Sequence, residues 1–515
     1  MDEGTSYLIT YGDSFTRPRE APLRTLADVL RRAVGDAVSD VHLLPMFPWT
    51  SDDGFAVVDY REIDPELGTW SDVGDLGRSY DLMFDFVANH VSSSSEWFRR
   101  WLVDDPRYAD YFISPGSDFD TDHVVRPRTT PLLHDFHRPN GTTVPVWTTF
   151  GPDQIDVNAA NPAVLIELTD VLLGYLERGA VTIRLDAIGY LWKESGTACI
   201  HHEGTHAVIK MWRAIVDELA PGVRLLTETN VPHAENVTYL GDGSDEAHMV
   251  YQFPLPPLVL HTFLSGSSRR LRGWAASLEP LGPQATWFNF LASHDGVGMR
   301  PAETILSPDE RQALVDRALE VGGRVSYASA ADGSQSVYEL NVSYLDALGG
   351  AEGLKDPAVV VRRALAAHAI LLSLVGVPAI YYHSLVGSSH DVEGMLRSGV
   401  NRRVNRQRLD ADTLLDELEA SPRRSAIFTG LRALLEARSQ HPAFDPFSPQ
   451  EVIDLGDQVF AVRREAPGRG RVLAVVNVSE DPVAITGIGG RDLIRDEVLA
   501  DIMLPPSGYV WLAED

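Results

Sequence analysis

The hydrophobic pattern of the chain is an alternation of short apolar runs with longer segments of helical spacing. Runs that are apolar on both faces are typical of parallel strands covered by helices. Eight such runs occur, at Tyr7–Tyr11, Val41–Phe47, Leu82–Ala88, Val181–Ile188, Val223–Thr229, Met249–Phe253, Trp287–Ala292 and Ala379–Tyr382. Helical spacing is found at Leu23–Ala33, Pro162–Arg178, His206–Leu219, Pro308–Glu320 and Val359–Leu374. This alternation predicts an α/β fold, a (β/α)8 TIM barrel.

Two connections between these runs are much longer than a simple loop, one after the third run and one after the seventh. Long irregular connections in compact domains are usually functional or form small inserted domains. Near the C-terminus, QVFAVRRE, RVLAVVNVS and YVWLAED alternate as strands do, which predicts a small antiparallel β-domain. The predicted division is barrel 1–90, insertion 91–160 (a B domain), barrel 161–296, insertion 297–358, barrel 359–445 and β-domain 446–515.

The composition narrows the classes of function and partner. With 44 basic and 73 acidic residues, the net charge is −29, so neither nucleic acid nor a membrane surface is an expected partner. A single cysteine, Cys199, excludes an intrachain disulfide framework and a multi-cysteine metal site. The most apolar stretch, 364–382, is broken by Gly376 and Pro378 and predicts a buried helix followed by a strand. The N-terminus lacks a signal pattern, so we expect a soluble cytoplasmic protein.

Polar residues stand at the ends of four predicted strands, where a barrel is otherwise apolar. They are Asp85, Asn89 and His90 on the third strand, Arg184 and Asp186 on the fourth, Glu228 on the fifth, and His294 and Asp295 on the seventh. Active sites of TIM barrels form at the carboxyl ends of the strands. Arg184 and Asp186 share one strand face because they are two residues apart. We expect these groups to converge on one site, although Asp85 is equally consistent with a helix N-cap.

Three carboxylates at a barrel mouth favour glycoside chemistry. A retaining mechanism needs a nucleophilic carboxylate and an acid/base carboxyl about 5–5.5 Å apart, and burial beside another carboxylate raises the pKa of the acid. Phe55, Tyr60, Tyr190 and Trp192 lie near these positions in the sequence and are either platforms for sugar rings or ordinary core residues. We expect no metal and no organic cofactor, since the chain has no loop dense in oxygen ligands of the EF-hand kind.

Five segments resemble the signature regions of glycoside hydrolase family 13, the α-amylase superfamily: FDFVANH, IRLDA, TETN, FLASHD and QIDVN. The resemblance extends over nearly the whole chain. More narrowly, the segments VHLLPMFP, RLDAIGYLWKESGTACIHH, VYQFPLPPLVLHTFL and VNRRVNR look like the sucrose phosphorylase subfamily. That resemblance implies a retaining phosphorylase, which converts a small α-glucoside and inorganic phosphate to α-glucose 1-phosphate.

The resemblance also implies a role for each site residue. Asp186 would be the nucleophile, Glu228 the acid/base and Asp295 the stabiliser of the transition state. The glucose subsite would comprise Asp52, Phe55, His90, Gln154, Arg184, His294 and Arg402. The acceptor and phosphate side would comprise Arg126, Arg128, His134, Tyr190, Tyr338 and Glu339. The expected partners are small sugars and phosphate, and the expected state is a monomer or a homodimer.

The acceptor side departs from sucrose phosphorylase itself. Asn230 stands where that enzyme usually has a histidine, and Ser336-Val337-Tyr338-Glu339 replaces its usual Asp-Leu-Tyr-Gln. The segments TETNVPHAEN, GGRVSY and DGSQSVYELN are closer to the glucosylglycerate phosphorylase branch, which often carries an arginine at the position of Ala328. The motifs of this chain therefore agree completely neither with enzymes that use free fructose as the acceptor nor with those that use glycerate.

The first insertion carries a basic cluster in this acidic chain, made of Arg126, Arg128, His134, His137 and Arg138. Arginine forks match phosphate oxygens, so the cluster either serves inorganic phosphate and nearby acids or also meets a phosphorylated acceptor. We expect fructose 6-phosphate as the acceptor, as in a sucrose 6F-phosphate phosphorylase, narrowly ahead of glycerate, with glycerol and fructose as further alternatives. The competing classes are an α-glucosidase or transglucosidase and an inactive barrel that acts as a binding protein.

Overall fold

The computed structural model describes residues 1–329 and 335–514 and contains a closed barrel of eight parallel strands. In chain order the strands are Tyr7–Thr10, Asp40–Leu43, Asp81–Phe86, Ala180–Leu185, Arg224–Thr227, Met249–Tyr251, Thr286–Phe290 and Val377–Tyr381. Each strand pairs with its neighbours in sequence, and the eighth closes the barrel against the first, with Leu8 opposite Ile380. The predicted fold class is confirmed.

The observed strands end earlier than the apolar runs that predicted them. The second run continues to Phe47, but the strand ends at Leu43, shortly before Pro45, which has no N–H to extend the ladder. Leu44, Met46 and Phe47 are nevertheless buried. The apolar pattern therefore indicates which residues are buried and not where the strand ends. Buried apolar residues continue past the end of the strand into the loops that carry the site.

Helices follow the strands and agree with the predicted segments to within a few residues at most ends. The longer ones are Pro22–Val29, Trp70–Leu76, Glu96–Leu102, Pro162–Glu177, Glu203–Leu219, Leu255–Ser265, Arg269–Ala276, Pro308–Glu320, Tyr344–Gly353, Pro357–Ser373, Val392–Ser398, Ala411–Ala420 and Pro422–Ser439. The helix from Pro308 begins with a capping box between Ser307 and Glu310, which fixes its start. After the fifth strand the connection holds two short elements, the helix His233–Asn236 and the 3-10 helix Val237–Leu240, so the alternation is irregular there.

Both long connections carry small antiparallel sheets at the carboxyl ends of the barrel strands. In the first, Leu133–His137 pairs with Thr143–Trp147, and His90–Ser92 pairs with Gln154–Asp156. The second forms a sheet of Val297–Gly298, Arg324–Ser329 and Gln335–Asn341. Residues 330–334, which belong to the motifs read in this loop, lie outside the described residues. These sheets bring the insertions to the mouth of the barrel.

The C-terminal part is an antiparallel β-domain, as predicted. Its main sheet contains Gln450–Val452, Val459–Ala466, Gly470–Asn477, Gly490–Asp492, Glu497–Leu499 and Tyr509–Glu514, and Val483–Ile485 pairs with Ile502–Leu504. Phe460 and Val462 join the large core that includes the barrel, whereas Val459 and Ala461 belong to a separate core. This alternation follows from the two-residue period of a strand and shows that both faces of the sheet are covered.

The apolar stretch 364–382 consists of the end of helix Pro357–Ser373 and the strand Val377–Tyr381, as predicted. Of the helices in the described part of the chain, none has both the length and the apolar character that a membrane crossing requires. His368 lies within this helix, where burial lowers its pKa to about 4 and its Nδ1 lies 2.7 Å from the Ala364 carbonyl. The imidazole is therefore a neutral core group.

Candidate active site

A cavity of about 640 Å³ opens at the carboxyl ends of the barrel strands, between the two insertions. It is lined by Asp52, Phe55, His90, Arg128, Phe150, Gln154, Asp186, Ala187, Gly189, Tyr190, Ile200, Glu228, Thr229, Asn230, Val231, His294, Asp295, Tyr338 and Arg402. Each of the four predicted groups at strand ends contributes at least one lining residue. The structure therefore brings the four groups together at one cavity, as their positions at strand ends predicted.

Arg184 holds the two candidate catalytic carboxylates on one guanidinium. Its Nη1 lies 2.7 Å from Asp186 Oδ1, and its Nη2 lies 4.0 Å from Glu228 Oε2. Its Nε donates to the Tyr251 hydroxyl at 3.1 Å, and its side chain is 2% exposed. Because both carboxyls reach the same guanidinium, they lie close together, as a retaining mechanism requires.

Asp85 is a fixed anion behind Arg184 and not a helix cap. It pairs with Arg184, and its Oδ2 lies 2.7 Å from His42 Nε2. Burial raises the pKa of Asp85, but Arg184 and His42 outweigh burial, and the pKa falls below its usual value. An ionised Asp85 orients Arg184 toward Asp186. The only sequence signal for His42 was a histidine within an apolar strand.

Glu228 is held by the backbone that follows Asp186. The N–H of Ala187 donates to Glu228 Oε2 at 2.9 Å. Ala187 has a φ of 48°, a left-handed conformation that is uncommon for residues other than glycine, and it directs this N–H to the carboxyl. Burial raises the pKa of Glu228, Arg184 opposes this shift, and the charge of Asp295 adds to it. A carboxyl with a raised pKa is suited to protonate a leaving group.

Asp186 and Glu228 are two buried carboxyls that interact with each other. Burial raises the pKa of Asp186 as well, Arg184 opposes the shift, and Glu228 reinforces it. Two interacting carboxyls lose their protons in steps that belong to the pair. Arg184 lies 2.7 Å from Asp186 and 4.0 Å from Glu228, so it favours the carboxylate at Asp186 and the carboxylic acid at Glu228. That division of roles is the one a retaining mechanism uses.

Asp295, at the end of the seventh strand, is kept ionised by two arginines. Arg402 Nη1 lies 2.7 Å from Asp295 Oδ1, and Arg406 Nη2 lies 3.7 Å from the same atom. Burial raises the pKa of Asp295, but the two guanidiniums outweigh burial, and the pKa falls below its usual value. Arg402 also lies 3.8 Å from Asp52, so the predicted pair of Asp52 and Arg402 is present.

Neutral and aromatic groups complete this side of the cavity. The rings of Phe55 and His294 are stacked, with centroids 4.8 Å apart and planes 6° from parallel. His90 Nε2 lies 2.9 Å from the Phe55 carbonyl, to which Gln154 Nε2 donates at 3.3 Å. Burial lowers the pKa of His90 and of His294, so both rings are uncharged near neutral pH. They offer hydrogen-bonding groups and an apolar platform to a sugar without adding charge.

A buried lysine supports His90 from behind. Lys193 Nζ lies 2.7 Å from Asp156 Oδ2 and 2.7 Å from Asn89 Oδ1. Asn89 Nδ2 donates to Asp156 Oδ2 at 3.0 Å and lies 3.2 Å from His90 Nδ1. The side chains of Lys193 and Asp156 are 1% and 0% exposed. This network joins the first insertion to the barrel and fixes one edge of the cavity.

Substitution of Lys193 by methionine is expected to lower the free energy of unfolding by about 3–5 kcal/mol, because Asp156 becomes a buried charge without a cation. Urea denaturation measures the change. The matched control is Lys210→Met, whose lysine is 48% exposed and pairs with Asp245 at 2.6 Å, and whose loss is expected to cost about 1 kcal/mol or less. Equal losses in the two variants would contradict the role given to Lys193.

Arg128, from the first insertion, is a further cation in the lining of the cavity. Its guanidinium lies over the ring of Tyr338 at 4.8 Å and over the ring of Phe150 at 5.6 Å, and Phe150 packs edge-on against Tyr190. Its Nη1 donates to the Pro127 carbonyl at 3.4 Å, and within residues 1–329 and 335–514 no carboxylate forms an ion pair with it. An arginine without a counter-ion is a ready partner for a phosphate or a carboxylate.

The rest of the predicted basic cluster is not part of the cavity lining, which corrects the expectation for Arg126 and His134. The hairpin of the first insertion turns these side chains toward its own groups. Their partners are the Thr130 carbonyl for Arg126, the Thr148 hydroxyl for His134, the Thr143 hydroxyl for His137 and the Asp104 carboxylate for Arg138. The basic cluster therefore no longer supports the expectation of a phosphorylated acceptor.

Glu339 also departs from its predicted place on the acceptor side. Tyr338 lines the cavity, and its neighbour Glu339 instead pairs with Arg402. The ladder is irregular at this point, with Ser326 opposite Glu339 and Tyr327 opposite Val337, so Tyr338 is the extra residue of a β-bulge. Asn230, two residues after Glu228, does line the cavity, and its Oδ1 is buried without a hydrogen-bond partner in the described residues.

The four aromatic residues near the strand ends divide into two kinds. Phe55 and Tyr190 line the cavity. The Tyr60 hydroxyl donates to the Val87 carbonyl at 2.7 Å, and Trp192 stacks on His202, so both are structural. Proximity in sequence to a catalytic residue does not separate the two kinds.

Two neighbouring buried carboxyls beside a third, ionised carboxylate are the groups that chemistry at an anomeric carbon requires. Together with the barrel, these carboxyls define the class of the protein as an enzyme that acts on glycosidic bonds.

Comparisons with known proteins agree with this class. The family model described as "Alpha amylase, catalytic domain" matches residues 36–270. The chain is 48% identical over 481 residues to glucosylglycerate phosphorylase of Spirochaeta thermophila, which covers 93% of this chain and 81% of that relative. It is 47% identical over 515 residues to glucosylglycerate phosphorylase of Allomeiothermus silvanus, with 99% and 91% covered. A crystal structure of sucrose 6F-phosphate phosphorylase from Thermoanaerobacter thermosaccharolyticum has a TM-score of 0.81 at 25% identity, with 97% and 98% covered.

The chain belongs to the alpha-amylase family, glycoside hydrolase family 13, and within it to the relatives of the sucrose and glucosylglycerate phosphorylases. It is an enzyme, a glucoside phosphorylase of the glycosyltransferase type, which acts on small sugars and phosphate.

Proposed function

We propose that this phosphorylase converts an α-glucoside of glycerate and inorganic phosphate to α-glucose 1-phosphate and glycerate. Relatives named glucosylglycerate phosphorylase are 42–48% identical to the chain. Relatives named for sucrose or sucrose 6F-phosphate are 27–31% identical. These values favour glycerate over fructose 6-phosphate, the acceptor that the basic cluster suggested. The observation that carries the proposal is Arg128, a cation at the cavity wall for which the described residues provide no ion pair.

In the first half-reaction, Asp186 attacks the anomeric carbon while the bond to the glycerate oxygen breaks. The electrons of that bond go to the glycerate oxygen, which takes the proton of Glu228. The products are a β-glucosyl ester on Asp186 and free glycerate. Asp295, kept ionised by Arg402, stabilises the positive charge that develops on the sugar ring in the transition state.

In the second half-reaction, a phosphate oxygen attacks the anomeric carbon and Asp186 leaves as a carboxylate. Glu228, now ionised, accepts the proton of the attacking phosphate. Two inversions at one carbon restore the α configuration. Arg128, held between two aromatic rings, binds the phosphate on the acceptor side.

A single unpaired cation matches an acceptor with a single anionic group. Glycerate and phosphate occupy the acceptor side in turn, so Arg128 serves the carboxylate of one and the oxygens of the other. Asn230 Oδ1 has no hydrogen-bond partner among the described residues and is available to a glycerate hydroxyl. His134 and Arg138, which the sequence suggested for the phosphate of fructose 6-phosphate, are engaged elsewhere.

Synthesis from α-glucose 1-phosphate tests the acceptor directly, with glycerate, glycerol, fructose and fructose 6-phosphate compared in parallel. We expect kcat/KM to be highest with glycerate, at least about tenfold above glycerol, because a hydrogen bond to a charged group contributes about 1.5–3 kcal/mol. A preference for fructose 6-phosphate would overturn the proposed acceptor and leave the phosphorylase class intact.

Substitution of Arg128 by glutamine is expected to lower kcat/KM for glycerate and for phosphate by roughly 10- to 150-fold. In synthesis from α-glucose 1-phosphate, kcat/KM for glycerol is expected to change by less than about threefold, because this ratio reports only the transfer from the glucosyl ester to an acceptor that has no charge for Arg128 to bind. The matched control is Arg138→Gln in the same insertion, whose guanidinium pairs with Asp104. Equal losses with glycerate and glycerol would show that Arg128 does not recognise a carboxylate.

A further inference from the structure

Arg402 is the second arginine that lines the cavity, and carboxylates engage its whole guanidinium. Its Nε and Nη2 donate to the two carboxylate oxygens of Glu339, at 2.8 Å and 2.9 Å. Its Nη1 lies 2.7 Å from Asp295 Oδ1 and 3.8 Å from Asp52 Oδ1. A two-pronged pair of this kind is the strongest arrangement between an arginine and a carboxylate.

Glu339 is fixed and charged at this position. It is 3% exposed, and its Oε1 also accepts from Asn341 Nδ2 at 2.8 Å. Burial raises the pKa of Glu339, but Arg402 outweighs burial, and the pKa falls below its usual value. Glu339 therefore remains a carboxylate near neutral pH, and the strand that carries Tyr338 also carries the counter-ion of Arg402.

The two arginines of the cavity differ in how far their charge is neutralised. Arg128 has aromatic neighbours and no paired carboxylate in the described part of the chain, whereas Arg402 is held by Glu339 and Asp295. Phosphate is attracted to any guanidinium with free charge. At Arg402 the neighbouring carboxylates cancel that attraction, so the free positive charge of the cavity lies at Arg128.

We propose that Glu339 is a specificity-determining residue that, by neutralising Arg402, keeps phosphate out of the glucose subsite and directs it to Arg128. The inference rests on the proposed glucose subsite around Asp52 and Arg402. Phosphate has to reach the acceptor side after the glucosyl ester forms, and phosphate bound beside Arg402 would block the donor. Glu339 acts through Arg402 and does not itself contact the substrate.

The test is the phosphate dependence of initial rates in Glu339→Gln, which keeps the size of the side chain and removes its charge. Phosphate is expected to become an inhibitor competitive with the glucoside, with an inhibition constant at least about tenfold below that of the wild type. Glu339→Asp keeps the charge and is expected to keep phosphate excluded, even where kcat falls. The control is Asp346→Asn, which loses a buried carboxylate paired with Arg423 at 2.8 Å outside the cavity lining.

Loss of activity in Glu339→Gln with unchanged inhibition by phosphate would overturn the proposal and leave Glu339 as an anchor of its strand. Inhibition by phosphate in Glu339→Asp would also overturn the proposal. If Glu339→Gln does not fold, the result with Glu339→Asp decides the question by itself. The donor is whichever glucoside the wild type uses best, so the result does not depend on the acceptor. A wild type that makes no glucose 1-phosphate from any glucoside would instead refute the proposed function.

Discussion

Substitution of Asp186 by asparagine is expected to lower kcat for glucose 1-phosphate formation at least about 10⁴-fold. The amide keeps the shape of the side chain and its contact with Arg184, but it has no anionic oxygen to form the glucosyl ester. The rate of glucose 1-phosphate release at saturating glucoside and phosphate measures the effect. Residual activity above about 1% of the wild type would remove Asp186 from the role of nucleophile.

The same variant is expected to unfold at an unchanged or higher temperature, which separates lost chemistry from lost structure. Burial raises the pKa of Asp186, so the folded state disfavours its ionised form. A carboxyl with a raised pKa in the folded state lowers stability as the pH rises above its unfolded pKa, and asparagine removes that effect. A large fall in melting temperature would show that the lost activity reports a folding defect.

The second large effect is expected for Glu228→Gln, with kcat/KM for the natural glucoside lowered roughly 10²- to 10⁴-fold. Without the acid, the acceptor oxygen has to leave unprotonated. Fluoride needs no such proton, so ester formation from α-glucosyl fluoride is expected to stay within about tenfold of the wild type. Fluoride release in the first turnover measures this step.

The pH profile provides an independent check on Glu228. Burial, reinforced by Asp295, raises its pKa, so the acid stays protonated above the usual range of a carboxyl. For the wild type, kcat/KM for the glucoside is expected to fall as the pH rises through that raised pKa. This decline should disappear in Glu228→Gln. Equal losses with the natural glucoside and the fluoride, or an unchanged profile, would contradict the role of general acid.

Much of the fold and half of the site followed from local sequence pattern. Each barrel strand was predicted from an apolar run in the sequence, because strands covered on both sides have no polar face. Arg184 and Asp186 were paired correctly because a strand's two-residue period fixes which side chains share a face. The strand ends were less certain, since Leu44 and Phe47 stay buried after the ladder has stopped.

The acceptor side could not be predicted in the same way, because its contacts join segments distant in sequence. Arg128 meets Tyr338 across 210 residues of chain, and Glu339 pairs with Arg402, which is 63 residues away in the sequence. The basic cluster looked like one site in sequence, but Arg138 has Asp104 as its counter-ion. A run of basic residues in the sequence shows that positive charge is concentrated there, but it does not show which way each side chain points.

The central claim is tested most directly by proton and phosphorus NMR of the products that the wild type forms from glucosylglycerate and, in parallel, from sucrose 6F-phosphate. Each substrate is incubated with and without inorganic phosphate. We predict α-glucose 1-phosphate and glycerate in equal amounts, only when phosphate is present, and kcat/KM at least about tenfold higher for glucosylglycerate. Preference for sucrose 6F-phosphate, or release of free glucose regardless of phosphate, would contradict the account.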